Sequence, residues 1–355
     1  MKRFIFYRND RLGDFIIITS IINKIKEVYK KSHITVVCSP KNYDLIKSYP
    51  IVDKIFIYDK RKSFLKRISI FFRIIKYKYY ATFAIDGKSF SYICNFFTQS
   101  TYKLGLSYYF KYGPFRWSKP NFFYNHLIFD KFGKFTSKKD LKKIEHLPSK
   151  LIKLTTPLKL KLTPQDPYFY KVDKKNIDLF KSLTKRIIPK KYILIHFDEK
   201  WLDLKSIETD LSLTISSFQK KIKKKIIITS YNNKFQYYKN FKKKYLVFTF
   251  KNNKIRKSNK SENKKITILE NCTLPLFERL INNSLYSISC HSGFLIQISG
   301  FNKTKLIDII NKRDKIWYSC WKPHNTFHKF VLKSTNYNKI SLNKIFKKIT
   351  DITKS

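Results

Sequence analysis

The sequence predicts an α/β fold with parallel sheets, built as two domains. Three observations carry this. Short β-branched apolar runs alternate with segments of helical apolar spacing along most of the chain. The alternation weakens over residues 107–160 and then resumes as a second block. A chain of 355 residues also exceeds one ordinary core.

Residues 4–7 read as a short buried strand ended by a turn at Gly13. From Asp14 onward Ile18, Ile21, Ile22, Ile25 and Val28 recur at helical spacing. Asp14 suits the N-cap, because its carboxylate can accept free N–H groups of the first turn. Residues 33–38 are strand-like and closed by Ser39-Pro40. Residues 42–48 make a short helix stopped by Pro50, and 54–58 a third strand. A basic amphipathic segment covers 63–78, with Leu65, Ile68, Phe71, Phe72 and Ile75 on one face. Residues 81–85 form a fourth strand ending at Asp86-Gly87, a turn signal; 89–97 are helical and 102–106 a fifth strand. Strand then helix, repeated, argues for parallel βαβ units.

Aromatics then cluster (Tyr108, Tyr109, Phe110, Phe115, Trp117), and 140–144 read as helical. Residues 162–167, with Pro164 and Pro167 and no periodic apolar face, are the linker candidate. The second block predicts helices at 177–183, 211–222, 274–281, 294–300 and 340–352. Its strands are 192–196, 225–229, 245–250, 266–269, 286–290 and 305–310, the last closing the sheet. Thr273 and Pro275 suit the start of the helix at 274. Residues 251–265 are polar and basic, and read as an exposed loop. The expected domains are 1–163 and 164–340. Residues 341–355 form a C-terminal helix able to pack back on the first domain. Two Rossmann-like domains of this kind imply facing lobes across a cleft.

Charge is the compositional outlier: 75 basic against 24 acidic residues give a net +51. Two readings stay open. One is an anionic partner such as a membrane surface, a nucleic acid or a phosphorylated substrate. The other is a bias toward Lys, Asn, Ile, Phe and Tyr, whose codons are A/T-rich. The lysines are spread along the chain rather than held in one stripe, and no zinc-finger, Walker-A or RNA-binding aromatic signature occurs. Specific nucleic-acid binding is therefore not expected. Five scattered cysteines without a C-x-x-C pair fit a reduced, cytoplasmic chain. No secretory signal is seen, and no apolar run approaches the ~18 residues of a spanning helix. A cytoplasmic protein, peripheral on the inner face of the membrane, is expected.

Three turns gather the chemistry-bearing residues at predicted carboxyl ends of strands. They are Arg8-Asn9-Asp10-Arg11-Leu12-Gly13-Asp14, Asp198-Glu199-Lys200-Trp201 and His291-Ser292-Gly293. Open α/β sheets place ligands at those ends. Gly13-Asp14 alone also reads as a plain helix cap. His196 reads as a satisfied core or cleft-lining histidine. His324 and His328, four apart, lack a third ligand, so no metal site is expected. Cys290-His291 are strand neighbours that point to opposite faces, so they make no nucleophile pair.

The run Asp10-Arg11-Leu12-Gly13-Asp14, with its apolar helix and the later Pro50-x-Val52-Asp53, resembles the opening of the ADP-heptose:lipopolysaccharide heptosyltransferases, glycosyltransferase family 9. Asp198 to Trp201 is similar to the family's donor-binding turn, and residues 271–293 resemble its late segment. The resemblance implies a GT-B fold and inverting, metal-independent transfer from a nucleotide-diphosphate sugar, with no further cofactor. It makes 1–163 the acceptor-binding and 164–340 the nucleotide-sugar-binding domain. It also implies a glycolipid or oligosaccharide acceptor of the lipopolysaccharide core or another envelope glycan.

Asp14 matches the family's proposed general base, and Lys200 its phosphate-binding lysine. Asp198, His291 and the backbone N–H groups of Ser292, Gly293 and Phe294 join the donor site. Arg8, Arg11 and Gly13 would meet an anionic acceptor. The late turn departs from the family's Asp-Thr-Gly, the His beyond it falls at Ile296, and its donor-ribose acid has no match over 230–233. A catalytically degenerate module that binds a nucleotide or glycan is thus an alternative. A non-specific nucleic-acid binder is a more distant one.

Overall fold

The structure, a computed structural model, describes residues 1–108, 126–130, 146–163, 174–189, 191–230, 235–251, 254–258, 265–301, 304–323, 327–334 and 338–354. The helix expected at 140–144, most of the linker at 162–167, residues 231–233, His324 and four of the five clustered aromatics lie outside this set. The chain divides into two units, Met1–Lys171 and Val172–Ser355.

In the first unit the order is β1 (Arg3–Arg8), α1 (Leu12–Ile17), α2 (Thr19–Val28), β2 (His33–Cys38), α3 (Tyr43–Lys47), β3 (Lys54–Ile57), α4 (Phe64–Ile75), β4 (Tyr79–Ala84), α5 (Ser89–Phe97), β5 (Ser100–Tyr108), β6 (His126–Asp130) and α6 (Leu147–Leu154). The six strands are all parallel, in the order β3-β2-β1-β4-β5-β6. This is the doubly wound arrangement. Strand order reverses beside β1, so a crevice opens where β1 and β4 end. Strands buried on both faces explain why β1 reads Phe4-Ile5-Phe6-Tyr7 without polar alternation. Phe6 stacks on Phe83 of β4 with centroids 4.2 Å apart. The sequence did not predict β6 or α6; both lie where the alternation fades.

Two local corrections concern α1. Gly13 is not a turn residue but lies buried inside that helix, and Asp14 is not its N-cap. Arg11 occupies the cap, and Asp14, three residues on, returns its Oδ2 to the Arg11 N–H at 3.1 Å. That return bond starts the helix two residues earlier than the apolar spacing indicates.

The second unit runs α7 (Lys174–Arg186), β7 (Tyr192–Phe197), α8 (Ile207–Ile222), β8 (Lys225–Ser230), α9 (Gln236–Lys242), β9 (Leu246–Lys251), β10 (Lys254–Lys257), β11 (Ile266–Glu270), α10 (Leu274–Asn282), β12 (Tyr286–Ser289), α11 (Gly293–Phe301), β13 (Leu306–Asn311), α12 (Lys312–Trp321), β14 (His328–Ser334) and α13 (Leu342–Lys354). Its eight strands follow the order β10-β9-β11-β8-β7-β12-β13-β14, parallel except for β10 against β9.

Three expectations are corrected here. The stretch 251–265 is not all loop, since β10 hairpins back on β9. β13 does not close the sheet, because β14 lies outside it. His328 belongs to that strand, so it does not share a helix face with His324. The C-terminal helix α13 is also spoken for: Leu342, Ile345, Phe346 and Ile349 are buried in the second unit's own core, against Trp201 and Phe218.

Candidate functional site

In the first unit the site is built around Arg8. It ends β1, is 1% exposed, and its chain carbonyl is held by Asn42 Nδ2 at 3.0 Å. Its guanidinium donates to the Ile85 carbonyl (2.9 Å) and to the Asp14 carbonyl (2.6 Å). It pairs with Asp10 Oδ2 at 3.1 Å and lies 3.9 Å from Asp14 Oδ1. Asp86, at the end of β4, accepts from the Asn9 N–H at 3.1 Å, the Lys88 N–H at 3.1 Å and Ser91 Oγ at 2.8 Å. Three carboxylates thus stand around one buried cation at the switch point of the sheet.

Burial pushes the Asp10 carboxyl well above its ordinary range despite Arg8, with Asp14 and Asp86 adding to the push. Asp86 is raised by burial as well. Asp14 differs. Its side chain is 35% exposed, and its two oxygens are steered by Arg8 and by the Arg11 N–H. Arg11 itself is exposed. Arg8 was expected to meet an acceptor; its guanidinium is buried, held by Asp10, Asp14 and the Ile85 carbonyl. A buried cation needs such partners.

In the second unit β7 lies between β8 and β12, again where the order reverses. The turn after β7 and the turn after β12 are therefore neighbours. Asp198 caps the short turn at Glu199–Asp203 by accepting the Lys200 N–H at 3.0 Å. Burial raises its carboxyl to about 6, against the opposing pull of Lys200. Lys200 Nζ donates to the His291 carbonyl. The buried Lys333 of β14 donates to the Lys200 carbonyl at 3.2 Å and to Asp203 Oδ2 at 3.0 Å.

His291 takes a left-handed backbone, φ 54°, where a glycine would be unstrained. Asp308 of β13, fully buried, compensates. Its Oδ1 accepts the His291 N–H at 2.7 Å, and its Oδ2 lies 2.7 Å from Nδ1 of the same residue. Nε2 of His328 stands 3.6 Å from Oδ2, and Tyr318 hydrogen-bonds the other ring nitrogen of His328. Burial alone would raise Asp308; bonds and charge from the two histidines outweigh it and hold the carboxyl low.

Ser292 is buried, with its N–H 3.4 Å from Ser289 Oγ, and its carbonyl accepts the Ile296 N–H at 3.0 Å. Gly293 and Phe294 open α11. The second-unit site residues read from the sequence are thus together at one sheet edge. Asp308, Tyr318 and Lys333 were not singled out, and His328 was weighed only as a metal ligand. Asp308 carried a signal, an acid inside a run of isoleucines.

His196 is a core histidine. It is buried, 3.0 Å from Thr229 Oγ1, packed at a tilt against Phe277, and burial lowers it to about 3. The described cysteines Cys38, Cys94, Cys272 and Cys290 are free thiols, each pushed upward by burial, which makes them poor nucleophiles. Among the described residues no helix is long and apolar enough to cross a membrane, and no group of three or more His, Cys, Asp or Glu could hold a metal ion.

No sequence-family profile and no curated protein matches the chain. Solved structures do. The chain is similar to a glycosyl transferase family 9 structure from Veillonella parvula, at 12% identity over 99% of this chain and 97% of that one, TM-score 0.68. It is similar to the E. coli heptosyltransferase WaaC with ADP, at 9% identity over 99% of both chains, TM-score 0.63. It also matches a UDP-GlcNAc 2-epimerase from Methanocaldococcus jannaschii, at 12% identity over 100% and 99%, TM-score 0.52. The fold is therefore GT-B, as the resemblance implied, and like that of family 9 along nearly the whole chain.

Proposed function

We propose that the chain is an inverting glycosyltransferase that uses a nucleotide-diphosphate sugar and a glycolipid or oligosaccharide acceptor of an envelope glycan. The observation that carries this reading is the pairing of Lys200 with the His291 turn at the switch point of the second sheet, in a chain whose fold is that of family 9.

An acceptor hydroxyl must lose its proton as it attacks the anomeric carbon. Asp14, half-exposed and steered from two sides, is the group assigned to take it. The bond from the anomeric carbon to the diphosphate oxygen breaks, and the negative charge passes to the leaving nucleotide. Lys200, His291 and the N–H groups of Gly293 and Phe294 at the start of α11 are assigned to that charge. Asp198 holds the Lys200 turn, and Ser292 anchors the first turn of α11 through its carbonyl. Arg11 is assigned to an anionic group of the acceptor. Arg8 positions Asp14, and Gly13 lets the first turn of α1 pack closely. The reading calls on no metal and expects activity to persist in EDTA.

The test is turnover of a panel of nucleotide sugars with envelope-glycan acceptors, with nucleotide-diphosphate binding measured in parallel. Asp14→Asn should lower kcat by about 10²–10⁴ while donor binding persists. Lys200→Ala should weaken nucleotide-diphosphate binding by about tenfold or more. Wild-type rates in the first variant remove Asp14 from the chemistry, and unchanged affinity in the second removes Lys200.

A second reading is a non-catalytic GT-B module. It is favoured by the His291 turn, which replaces the acidic turn of the family. Binding without turnover across the whole panel would select it.

A further inference from the structure

We propose that the outer face of α4, with the C-terminal end of α5, is a docking surface for a bilayer carrying anionic lipid. It rests on the first unit alone and stands apart from the assignment of sugar transfer.

Helix α4 is wider in its apolar arc than its own core contact requires. Ile74 is its one fully buried residue, with Ile70 and Phe71 packed against the core. A second stripe, Leu65, Ile68, Phe72 and Ile75, follows the spacing i, i+3, i+7, i+10 and so shares one side of the helix. Leu65 is 76% and Phe72 59% exposed. α5 adds Ile93, Phe96 and Phe97, all exposed.

The rings make one surface. Phe71 lies 5.4 Å from Phe72 and 5.6 Å from Phe97, and Phe97 lies 5.0 Å from Phe96. Alongside stand the exposed Lys60, Lys62, Lys66, Arg73 and Lys76. No acidic residue occurs between Asp59 and Asp86, and Asp59 is paired with Arg61 at 2.9 Å.

A contiguous apolar patch on a soluble surface marks a contact. Its rim decides the partner. Protein interfaces deplete lysine, whose flexible hydrated ammonium is costly to immobilise. A membrane boundary takes the opposite pattern, with Phe and Leu at the acyl level and Lys and Arg among the phosphates. α4 and its flanks carry both kinds of residue, the exposed Lys62, Lys66, Arg73 and Lys76 falling in sequence around the exposed Leu65 and Phe72.

The experiment is co-sedimentation of the full chain with vesicles of phosphatidylcholine alone or mixed with phosphatidylglycerol, at several salt concentrations. The wild-type chain should pellet with the mixed vesicles and be released by salt. The double variant Phe72→Ser, Phe97→Ser should bind about tenfold more weakly or worse. Lys62→Glu with Lys66→Glu should also lose binding, whereas Lys220→Glu with Lys221→Glu on α8, an equal charge change, should not. All four positions are exposed lysines and both phenylalanines are solvent-facing, so the variants should keep the wild-type melting temperature.

Wild-type binding by the phenylalanine variant overturns the proposal. So does equal loss in the α8 control, which would make bulk charge sufficient. A change of oligomeric state by gel filtration with vesicle binding intact would assign the face to self-association instead, and also overturns it. None of these outcomes bears on turnover with a soluble acceptor, which tests the assignment of sugar transfer separately.

Discussion

Asp308 grips His291 at both ends of the residue: one carboxylate oxygen takes the main-chain N–H at 2.7 Å, and the other meets ring Nδ1 at 2.7 Å. With Nδ1 turned inward as the donor, Nε2 is the ring atom left for a ligand, and it has no partner among the described residues. The same grip places the His291 carbonyl that receives Lys200. Asp308 is thus a positioning residue for the His291 ring and for the Lys200 ammonium.

Asp308→Asn keeps one acceptor oxygen but replaces the other with an NH₂ that cannot accept from the ring. Under the proposed function, nucleotide-diphosphate affinity should fall about tenfold or more, since a charge-assisted contact loses its orientation. Calorimetry with several nucleoside diphosphates and the matching nucleosides checks it. A purely structural role would lower affinity for both evenly. Loss of the His291 contact should weaken the diphosphates and spare the nucleosides, which bring no phosphate to Nε2. Tyr318 and Trp321 pack edge-on to this ring and His328 reaches Asp308, so His328→Gln serves as the control for its share. Wild-type nucleoside-diphosphate affinity in Asp308→Asn would detach the pair from ligand binding.

Arg8→Met tests the first unit. The methionine fits an apolar neighbourhood but leaves Asp10 without its cation. Breaking a buried pair from one side costs about 3–5 kcal/mol. Thermal unfolding should register a large fall in melting temperature, part of which Asp10→Asn restores in the double variant. An Arg8→Met chain that melts with the wild type would mean that the guanidinium is dispensable to the fold.

Glu278 sets a pH dependence. It lies on the buried face of α10 among Leu276, Phe277, Leu280 and Ile281, with Oε2 unpartnered among the described residues. Burial raises its carboxyl from 4.5 to about 8, against Arg279 and Asn282. The folded state therefore keeps a proton that the unfolded state has released. The stability from this group is complete below about pH 4.5 and is lost as pH rises through about 8. Glu278→Gln cannot titrate, so its melting temperature should gain on the wild type steadily across that window. A constant difference between the two proteins from pH 5 to about 8.5 would refute the assignment.

The strands buried inside both sheets were legible because parallel strands covered on two faces read as unbroken β-branched runs: residues 33–38, 225–229 and 266–269 needed no partner to be recognised. The three turns followed from them, since a strand's end locates its loop. What failed has a local cause. α9 is short and rich in Tyr and Lys, so its buried Tyr237, Tyr238 and Phe241 do not announce a helix. β10 is an edge strand of Lys-Ile-Arg-Lys, whose polarity reads as loop. Asp14 was taken for a cap because the chain signal is the same whether the acid begins the helix or reaches back from its first turn. The burial of Arg8 was illegible, because nothing in an arginine's neighbours along the chain tells a surface cation from one ringed by residues 10, 14 and 86. The Asp308 grip depends on a pairing across 17 residues, which only the register of β12 beside β13 brings about.

The seating of α13 bears on how the chain is made. Trp201, fully buried, waits on Phe346, and both Trp201 and Phe218 emerge from the ribosome before that helix does. The first unit can condense while translation proceeds, whereas the second keeps its tryptophan uncovered until α13 arrives. A premature stop a few codons upstream of residue 342 would then leave a nascent product with one finished half and one sticky half, a natural client for chaperones and proteases.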